Sequence, residues 1–501
     1  MNNPVDSKTD LFSARHRLYY KVGNEINYTT KCEEISMQNF DLIVIGGGPG
    51  GYIAAVQAAR LGLATALIEE RSLGGVCLNR GCIPTKTLVD TAKSIDAINA
   101  GKRRGIALDG SVGIDLKTAV QFKQRVTKRL SMGVEALLKD SGVNIINGTA
   151  VVRPDLTVEI SDGTSLHAKK IILATGTVPM RLPIAGADDP RVLTSDEILE
   201  LETVPESLGL LGGGIIGIEM ARIFSTFGAK VHIIEALERI CPFLDAELSQ
   251  ALTKTLTARK IKVSNSAKLE RIEPHDDKLV LHIANDSTIE VSHLLMAVGR
   301  SVDARAFDSL NLNRKGQFLA VDENMRTSHP DVYAVGDVNG LCMLAHAAYR
   351  MGEIAAAHAA ATLQNNASIP VPHFDAELVP GGVFSDPEVG YVGLTEAQAI
   401  ERYGEIRVGR LPLVANGRAV VSGHTDGFVK VIADAKTEKI VGVHILGLFA
   451  SELINEAATA IANGLTVRQW GHVIHDHPSV AEALPEAALD CFGRSLHLPK
   501  R

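Results

Sequence analysis

The stretch Asp41-Leu-Ile-Val-Ile-Gly-Gly-Gly-Pro-Gly-Gly51 passes from four consecutive apolar residues straight into five glycines and a proline. A short apolar run bounded by glycine reads as a buried strand, and the alanine-rich segment Tyr52–Leu61 after it reads as a helix. Thr65-Ala-Leu-Ile-Glu69 then reads as a second strand ending in an acid. Strand, glycine turn, helix and strand make a βαβ unit. The pattern returns once. Leu208-Gly-Leu-Leu211 runs into Gly212-Gly-Gly-Ile-Ile-Gly217, a helical stretch follows to about Phe227, and Val231-His-Ile-Ile-Glu235 ends in an acid. Glu69 lies 23 residues after Gly46, and Glu235 lies 23 residues after Gly212.

One glycine fingerprint is a weak signal; two, each after an apolar strand and each with an acid at the same offset, point to two dinucleotide sites. Gly46 and Gly212 permit the tight turn. Gly48 and Gly214 let backbone approach a pyrophosphate, and Gly51 and Gly217 let helix and strand pack closely. The helix N-termini turn N–H groups toward the anion, and Glu69 and Glu235 can accept a hydrogen bond from a ribose 2′-OH. Two such sites in one chain imply one electron carrier handing to another, a bound flavin and a diffusible nicotinamide.

The whole chain fits this reading. Its 501 residues suggest about three domains. With 46% hydrophobic and 22% charged residues it has the composition of a globular enzyme. A net charge of -7 gives no electrostatic case for nucleic acid, and no apolar run approaches the roughly 18 residues of a membrane helix. Residues 1–36 are polar, mixed in charge and without periodicity, and are expected to be a disordered extension. Beyond them the expected organisation is a first FAD-binding part over 37–182, an NAD-binding domain over 183–299, a return to the FAD-binding region over 300–367 and a C-terminal domain over 368–501. An amphipathic helix is expected over Leu116–Lys139. The C-terminal third alternates short strands, near Tyr391, Ile406–Leu411, Phe428–Ile432 and Ile440–Leu446, with helical stretches near Ala450–Ala462 and Ala481–Phe492. The fold class is therefore α/β, two Rossmann-like domains followed by an α+β domain.

Two of the six cysteines fall in the loop Gly74-Gly-Val-Cys-Leu-Asn-Arg-Gly-Cys-Ile-Pro-Thr-Lys86. Zinc needs about four ligands, and this loop offers Cys77 and Cys82 with no third Cys or His close by. Cys32, Cys241, Cys342 and Cys491 are scattered, which suits a reducing, cytoplasmic setting and makes a structural disulfide unattractive. A reactive dithiol near the flavin is the favoured reading, with metal binding and coincidence as the alternatives.

From Met37 onward the chain resembles the pyridine nucleotide–disulfide oxidoreductases, most of all their dihydrolipoamide dehydrogenase branch. The resemblance is carried by the cysteine loop, Ala174-Thr-Gly176, Val298-Gly-Arg300, Val332-Tyr-Ala-Val-Gly-Asp337, Thr425-Asp-Gly-Phe-Val-Lys430, Val443-His-Ile-Leu-Gly447 and His475-Asp-His-Pro-Ser479. It implies a tightly bound FAD, NAD as the second carrier, and reoxidation of dihydrolipoamide borne by a 2-oxo acid dehydrogenase or glycine-cleavage complex. It implies that Cys82 lies against the flavin and that Cys77 exchanges with substrate. Lys86, Thr175, Gly176, Asp337 and Ala345 join Gly46, Gly48, Gly51 and Glu69 on the FAD side; Gly299 joins Gly212, Gly214, Gly217 and Glu235 on the NAD side. His477 becomes the candidate base, since an imidazole can take and return a thiol proton, with Glu482 holding its other nitrogen. His475 and His472 are its competitors. The resemblance also implies a homodimer, with the histidine reaching the site from the partner subunit. Glu219 either faces Lys86 or lies on a helix surface.

Some residues depart from the family pattern: Arg80 between the cysteines, Leu448-Phe449, Asp476, and Tyr349-Arg350. They bear on which lipoyl partner is served. The rivals are a glutathione-type or mercuric-type reductase and a non-catalytic FAD-binding subunit. Glu235-Ala-Leu237 lacks the arginines that NADP favours, and Cys491 stands without a neighbouring cysteine.

Overall fold

The computed structural model describes residues 38–284 and 286–499, so the reading of residues 1–36 falls outside the described residues. The first sheet has seven strands. Gln38–Ile45 sits centrally, flanked by Thr65–Glu69 and then Asn144–Asn147 on one side. On the other side come Ser165–Leu173, Thr157–Ile160 and Ala150–Val152, and Val332–Ala334 also pairs with Ser165–Leu173. Leu42 to Ile45 pair in parallel with Thr65 to Ile68. Leu42 and Val44 face one core cluster, with the helices Pro49–Arg60 and Ala345–Leu363; Ile43 and Ile45 face another. A parallel strand buried on both faces must be apolar at every position, hence the unbroken Leu-Ile-Val-Ile run.

The second sheet is wholly parallel: Lys262–Ser264, Lys230–Ile234, Ser207–Leu211, His293–Met296 and Val192–Leu193. A three-stranded antiparallel meander over 269–291 packs beside it. The third sheet is antiparallel, in the order Gly381–Val383, Glu388–Gly393, Ile440–Gly447, Phe428–Asp434 and Ile406–Pro412. The helices Ala450–Ala462 and Ala483–Asp490 belong to its core.

The amphipathic helix forms over Leu116–Asp140, opened by the Asp115 carboxylate accepting the Thr118 N–H. The cysteine segment is helical rather than a loop: Cys77 lies in the short helix Gly75–Arg80, and Cys82 opens the 20-residue helix Cys82–Gly101. Leu88, Ala92 and Ile95 are buried at helical spacing in the same core cluster as Ile218 and Ala221 of the helix Ile215–Phe227. The glycines and Pro84 masked that periodicity, but proline is tolerated in the first helical turn.

A buried ion cluster fastens the third sheet to the second domain. The Lys430 ammonium, 1% exposed, sits 2.7 Å from Asp245, 2.7 Å from Glu396 and 3.1 Å from Glu247. Burial alone would lower the Lys430 pKa, but the Asp245 and Glu396 carboxylates outweigh it and hold it raised. Removing one member of a buried pair leaves an uncompensated charge, which costs about 3–5 kcal/mol. Lys430→Met should therefore lower the thermal midpoint markedly, and Lys430→Arg should lower it less. Melting curves of the three proteins at one FAD concentration decide this; an unchanged midpoint for Lys430→Met would show that the cluster adds no stability.

Candidate active site

The two glycine turns are built alike. Gly46 and Gly212 take φ +100° and +108°, and a Cβ at either would strike a carbonyl, of Ala174 or of Ala297. A Cβ on Gly51 would overlap the Gly46 carbonyl oxygen, and one on Gly217 that of Gly212. Each helix is thus pressed onto its own turn, its first N–H groups directed outward. The acids brace these turns. Glu69 accepts the Gly47 N–H at 2.7 Å through one oxygen and the Arg71 N–H at 2.8 Å through the other. Glu235 does the same with Gly213 at 2.7 Å and Leu237 at 2.8 Å. Sequence reading missed this bracing, although the equal offset of 23 residues was its signal.

Both turns open on one cavity of about 1140 Å³. Its wall contains Gly46, Gly48, Glu69, Cys77, Cys82, Lys86, Thr175, Gly176, Gly212, Gly214, Glu235, Gly299, Asp337 and Ala345. Gly51 and Gly217 lie behind the turns. A Cβ on Gly48 would meet only the Gly75 Cα, at 3.9 Å, and one on Gly214 would meet nothing within 4 Å. The Thr175 hydroxyl is buried without a hydrogen-bond partner. Backbone open at both turns, helix N-termini facing the space and an orphaned hydroxyl on the wall fit one dinucleotide at each turn. Thr177 donates to Asp337 at 2.9 Å, and Arg300 donates to the Thr177 hydroxyl and carbonyl, both at 2.7 Å.

Cys77 and Cys82 are joined by a disulfide, their Cα atoms 4.7 Å apart. Cys82 stands at the positive end of its 20-residue helix, where a thiolate is favoured. One turn on, Lys86 reaches both oxygens of Glu219, at 2.8 and 2.9 Å, and lies 4.5 Å over the Phe384 ring. Glu219 is 3% exposed and also accepts the Phe384 N–H at 3.1 Å. Of its two possible positions, Glu219 takes the one facing Lys86.

His477 and Glu482 do not line this cavity. The His477 Nδ1 is 2.9 Å from a Glu482 oxygen, and the other Glu482 oxygen accepts the Ser479 N–H at 2.9 Å. Burial pushes the Glu482 carboxyl up, but the Ser479 N–H and His477 outweigh it and hold it below its ordinary range. The His477 side chain is 79% exposed. The His475 side chain is 8% exposed and engaged on both nitrogens, with Glu456 at 2.9 Å and the Val473 carbonyl at 3.0 Å.

Comparison with known proteins gives this arrangement its lineage. Residues 40–352 match the model of the pyridine nucleotide-disulphide oxidoreductases, and residues 379–488 match that of their dimerisation domain. The chain belongs to the pyridine nucleotide-disulphide oxidoreductase family. It is an oxidoreductase whose cofactors are FAD and NAD, built as two Rossmann-like domains followed by a dimerisation domain. A dihydrolipoyl dehydrogenase of Bacillus subtilis is 35% identical over 478 residues, covering 91% of this chain and 99% of that protein. One from Chlorobaculum tepidum is 38% identical over 463 residues, covering 90% and 97%. The crystal structure of LpdA from Mycobacterium tuberculosis overlays with a TM-score of 0.81 at 27% identity, covering 90% of this chain and 99% of that one. The HOCl-induced flavoprotein disulfide reductase RclA from Escherichia coli overlays at 0.78 with 29% identity, covering 89% and 99%. Among the described residues no helix is long and apolar enough to cross a membrane.

The open glycines make a clean test. Gly48 and Gly214 have ordinary extended backbone, with φ −68° and −78°. Gly48→Ala should fold normally but retain FAD at least tenfold less tightly. Gly214→Ala should keep its FAD and raise the KM for NAD by a similar factor. FAD content on gel filtration and steady-state KM separate the two; full FAD retention by Gly48→Ala would refute this use of the first turn.

Proposed function

We propose that the chain is a dihydrolipoyl dehydrogenase, which oxidises dihydrolipoamide carried by a lipoyl-bearing protein and reduces NAD. The observation that carries the proposal is the Cys77–Cys82 disulfide on the wall of a cavity shared by two dinucleotide turns. Curated dihydrolipoyl dehydrogenases at 35–38% identity over most of the chain support it. The cofactor-binding residues on the FAD side are Gly46, Gly48, Gly51, Glu69, Lys86, Thr175, Gly176, Asp337 and Ala345. Those on the NAD side are Gly212, Gly214, Gly217, Glu235 and Gly299. The scattered buried thiols Cys241 and Cys491 suit a reducing cytoplasm.

A substrate thiolate attacks the Cys77 sulfur, and the S–S bond breaks with Cys82 leaving as a thiolate. The second substrate thiol then displaces Cys77 from the mixed disulfide. The products are lipoamide, a Cys77 thiol and a Cys82 thiolate, with one proton released. Thiol–disulfide exchange needs a thiolate, and an ordinary thiol, with a pKa of about 8.5, supplies little of it at neutral pH. The His477 imidazole takes that proton at Nε2, while Glu482 fixes the tautomer through Nδ1. Lys86 and Glu219 hold opposite charges on the wall beside Cys82. Held at the Gly46–Gly51 turn beside Cys82, FAD would supply an acceptor for the electron pair of the reduced dithiol, and NAD held at the Gly212–Gly217 turn would take that pair on.

His477 lies off the cavity of its own chain, which suits a site completed by a second subunit. Val473 and Ile474, 48% and 96% exposed, stand beside it as an apolar face for that subunit. The Glu235 carboxylate would repel a 2′-phosphate.

Four outcomes are expected. NAD reduction should proceed with dihydrolipoamide and not with glutathione, and kcat/KM should favour NAD over NADP at least tenfold, about 1.4 kcal/mol. Equal values for the two nicotinamides would remove the role given to Glu235. His477→Gln should cut dihydrolipoamide turnover by roughly 10²–10⁴ while sparing direct NADH-to-dye transfer. Co-refolding inactive Cys82→Ser and His477→Gln chains should restore activity through heterodimers with one complete site. Heterodimers that form and stay inactive would place both groups in one chain.

A further inference from the structure

Arg80 is one of the residues where this chain departs from the family pattern, and it lies inside the ring closed by the Cys77–Cys82 disulfide. It sits one turn after Cys77 on the short helix Gly75–Arg80, a spacing that makes the two side chains neighbours. Two residues span at most about 7 Å, so its backbone is also near that of Cys82. Arg80 lines the same cavity as Cys77 and Cys82. Two other cations of that wall are committed elsewhere. Lys86 is closed off by both oxygens of Glu219, and Arg300 donates two hydrogen bonds to Thr177 with Asp337 at 3.9 Å. Among the described residues the Arg80 guanidinium has one ion pair, with Asp196 at 3.8 Å, longer than a hydrogen bond, and it also faces the Arg300 charge. Asp196 belongs to the four-residue helix Ser195–Ile198, which follows the strand Val192–Leu193 of the second sheet.

We infer that Arg80, restrained by Asp196, sets how readily the Cys77–Cys82 disulfide is reduced. The inference rests on the reading of that disulfide as redox-active. Reduction by a dithiol breaks the S–S bond, oxidises the dithiol to its disulfide, and leaves one thiol, one thiolate and a released proton. The oxidised pair is neutral and the reduced pair carries a negative charge, so a nearby cation stabilises only the reduced form. Asp196 opposes this by drawing on the same cation. Arg80 is thus a positioning residue for charge, acting through the cysteines without touching substrate. Both side chains keep more than a quarter or a quarter of their surface in solvent, at 29% and 25%, so screening keeps the effect modest.

The test is a redox poise on the FAD-loaded protein. Wild type, Arg80→Met, Arg80→Lys and Asp196→Asn are equilibrated without oxygen in graded reduced and oxidised dithiothreitol. They are then acid-quenched and alkylated, and the label on Cys77 and Cys82 is read by mass spectrometry. Arg80→Met should lower the reduction equilibrium constant three- to tenfold, about 15–30 mV at 29.6 mV per tenfold. Asp196→Asn should shift it the opposite way, and Arg80→Lys should stay near wild type. The pH at which the reduced pair loses its second proton should rise in Arg80→Met and fall in Asp196→Asn. Coincident curves for wild type, Arg80→Met and Asp196→Asn would overturn the inference, as would shifts of the same sign in both variants. A raised KM for NAD with no change in the equilibrium would instead make Arg80 a cofactor contact and also overturn it. If wild type itself takes up no label at any poise, the redox reading of the disulfide fails first.

Discussion

A helix that can approach its own strand turn only because two glycines lack side chains is the contact on which the rest of the molecule depends. Gly51 meets the carbonyl of Gly46, and Gly217 meets that of Gly212. Any Cβ there would push the helix away and withdraw its N-terminus from the cavity. The closeness is doubly secured, because Glu69 and Glu235 tie the middle glycine of each turn back to the next strand. Helix dipole, free N–H groups and open backbone therefore converge on the same space twice.

The helix Cys82–Gly101 turns two such sites into one machine. Its first residue carries a sulfur of the disulfide, its first turn carries Lys86, and its later turns carry Lys93 and Asp96. Each of these charges reaches another part of the chain. Lys86 pairs with Glu219 of the second domain, and Lys93 with Glu388 of the third sheet at 2.6 Å. Asp96 pairs with the buried Arg222 at 2.6 Å and with Arg259 at 3.3 Å, and both arginines also meet Asp386. A rigid helix anchored to both the second domain and the third sheet gives the disulfide a fixed place relative to both cofactor turns, and electron transfer between carriers needs that geometry.

Much of this was legible in the chain. Strands buried on both faces cannot alternate with polar residues, so Leu42–Ile45 and Leu208–Leu211 showed themselves as apolar runs before glycine. The 23-residue offsets made the two turns equivalent before any coordinates did. The helix Cys82–Gly101 was not legible at its start, because Gly81 and Pro84 are breakers in most contexts and are harmless only at a helix N-terminus. The partner of Glu219 was equally hidden. A glutamate inside a helix carries no local sign of whether it faces solvent or a lysine 133 residues away.

Residue type and spacing by themselves determined the α/β class, the two dinucleotide turns and the candidate dithiol, because these depend on local backbone geometry and short-range periodicity. Only the tertiary structure decided which residues share a wall. It gathered Cys77, Cys82, Lys86, Glu219 and Asp337 around one cavity, and it left His477 with Glu482 on an exposed face of the third domain. It also separated His477 from His475, which the sequence distinguished only by Pro478 and Glu482 after His477: one ring is open, and the other is locked between Glu456 and a backbone carbonyl. Side-chain proximity across 100 or more residues is set by how sheets and helices stack, and no local pattern encodes that stacking.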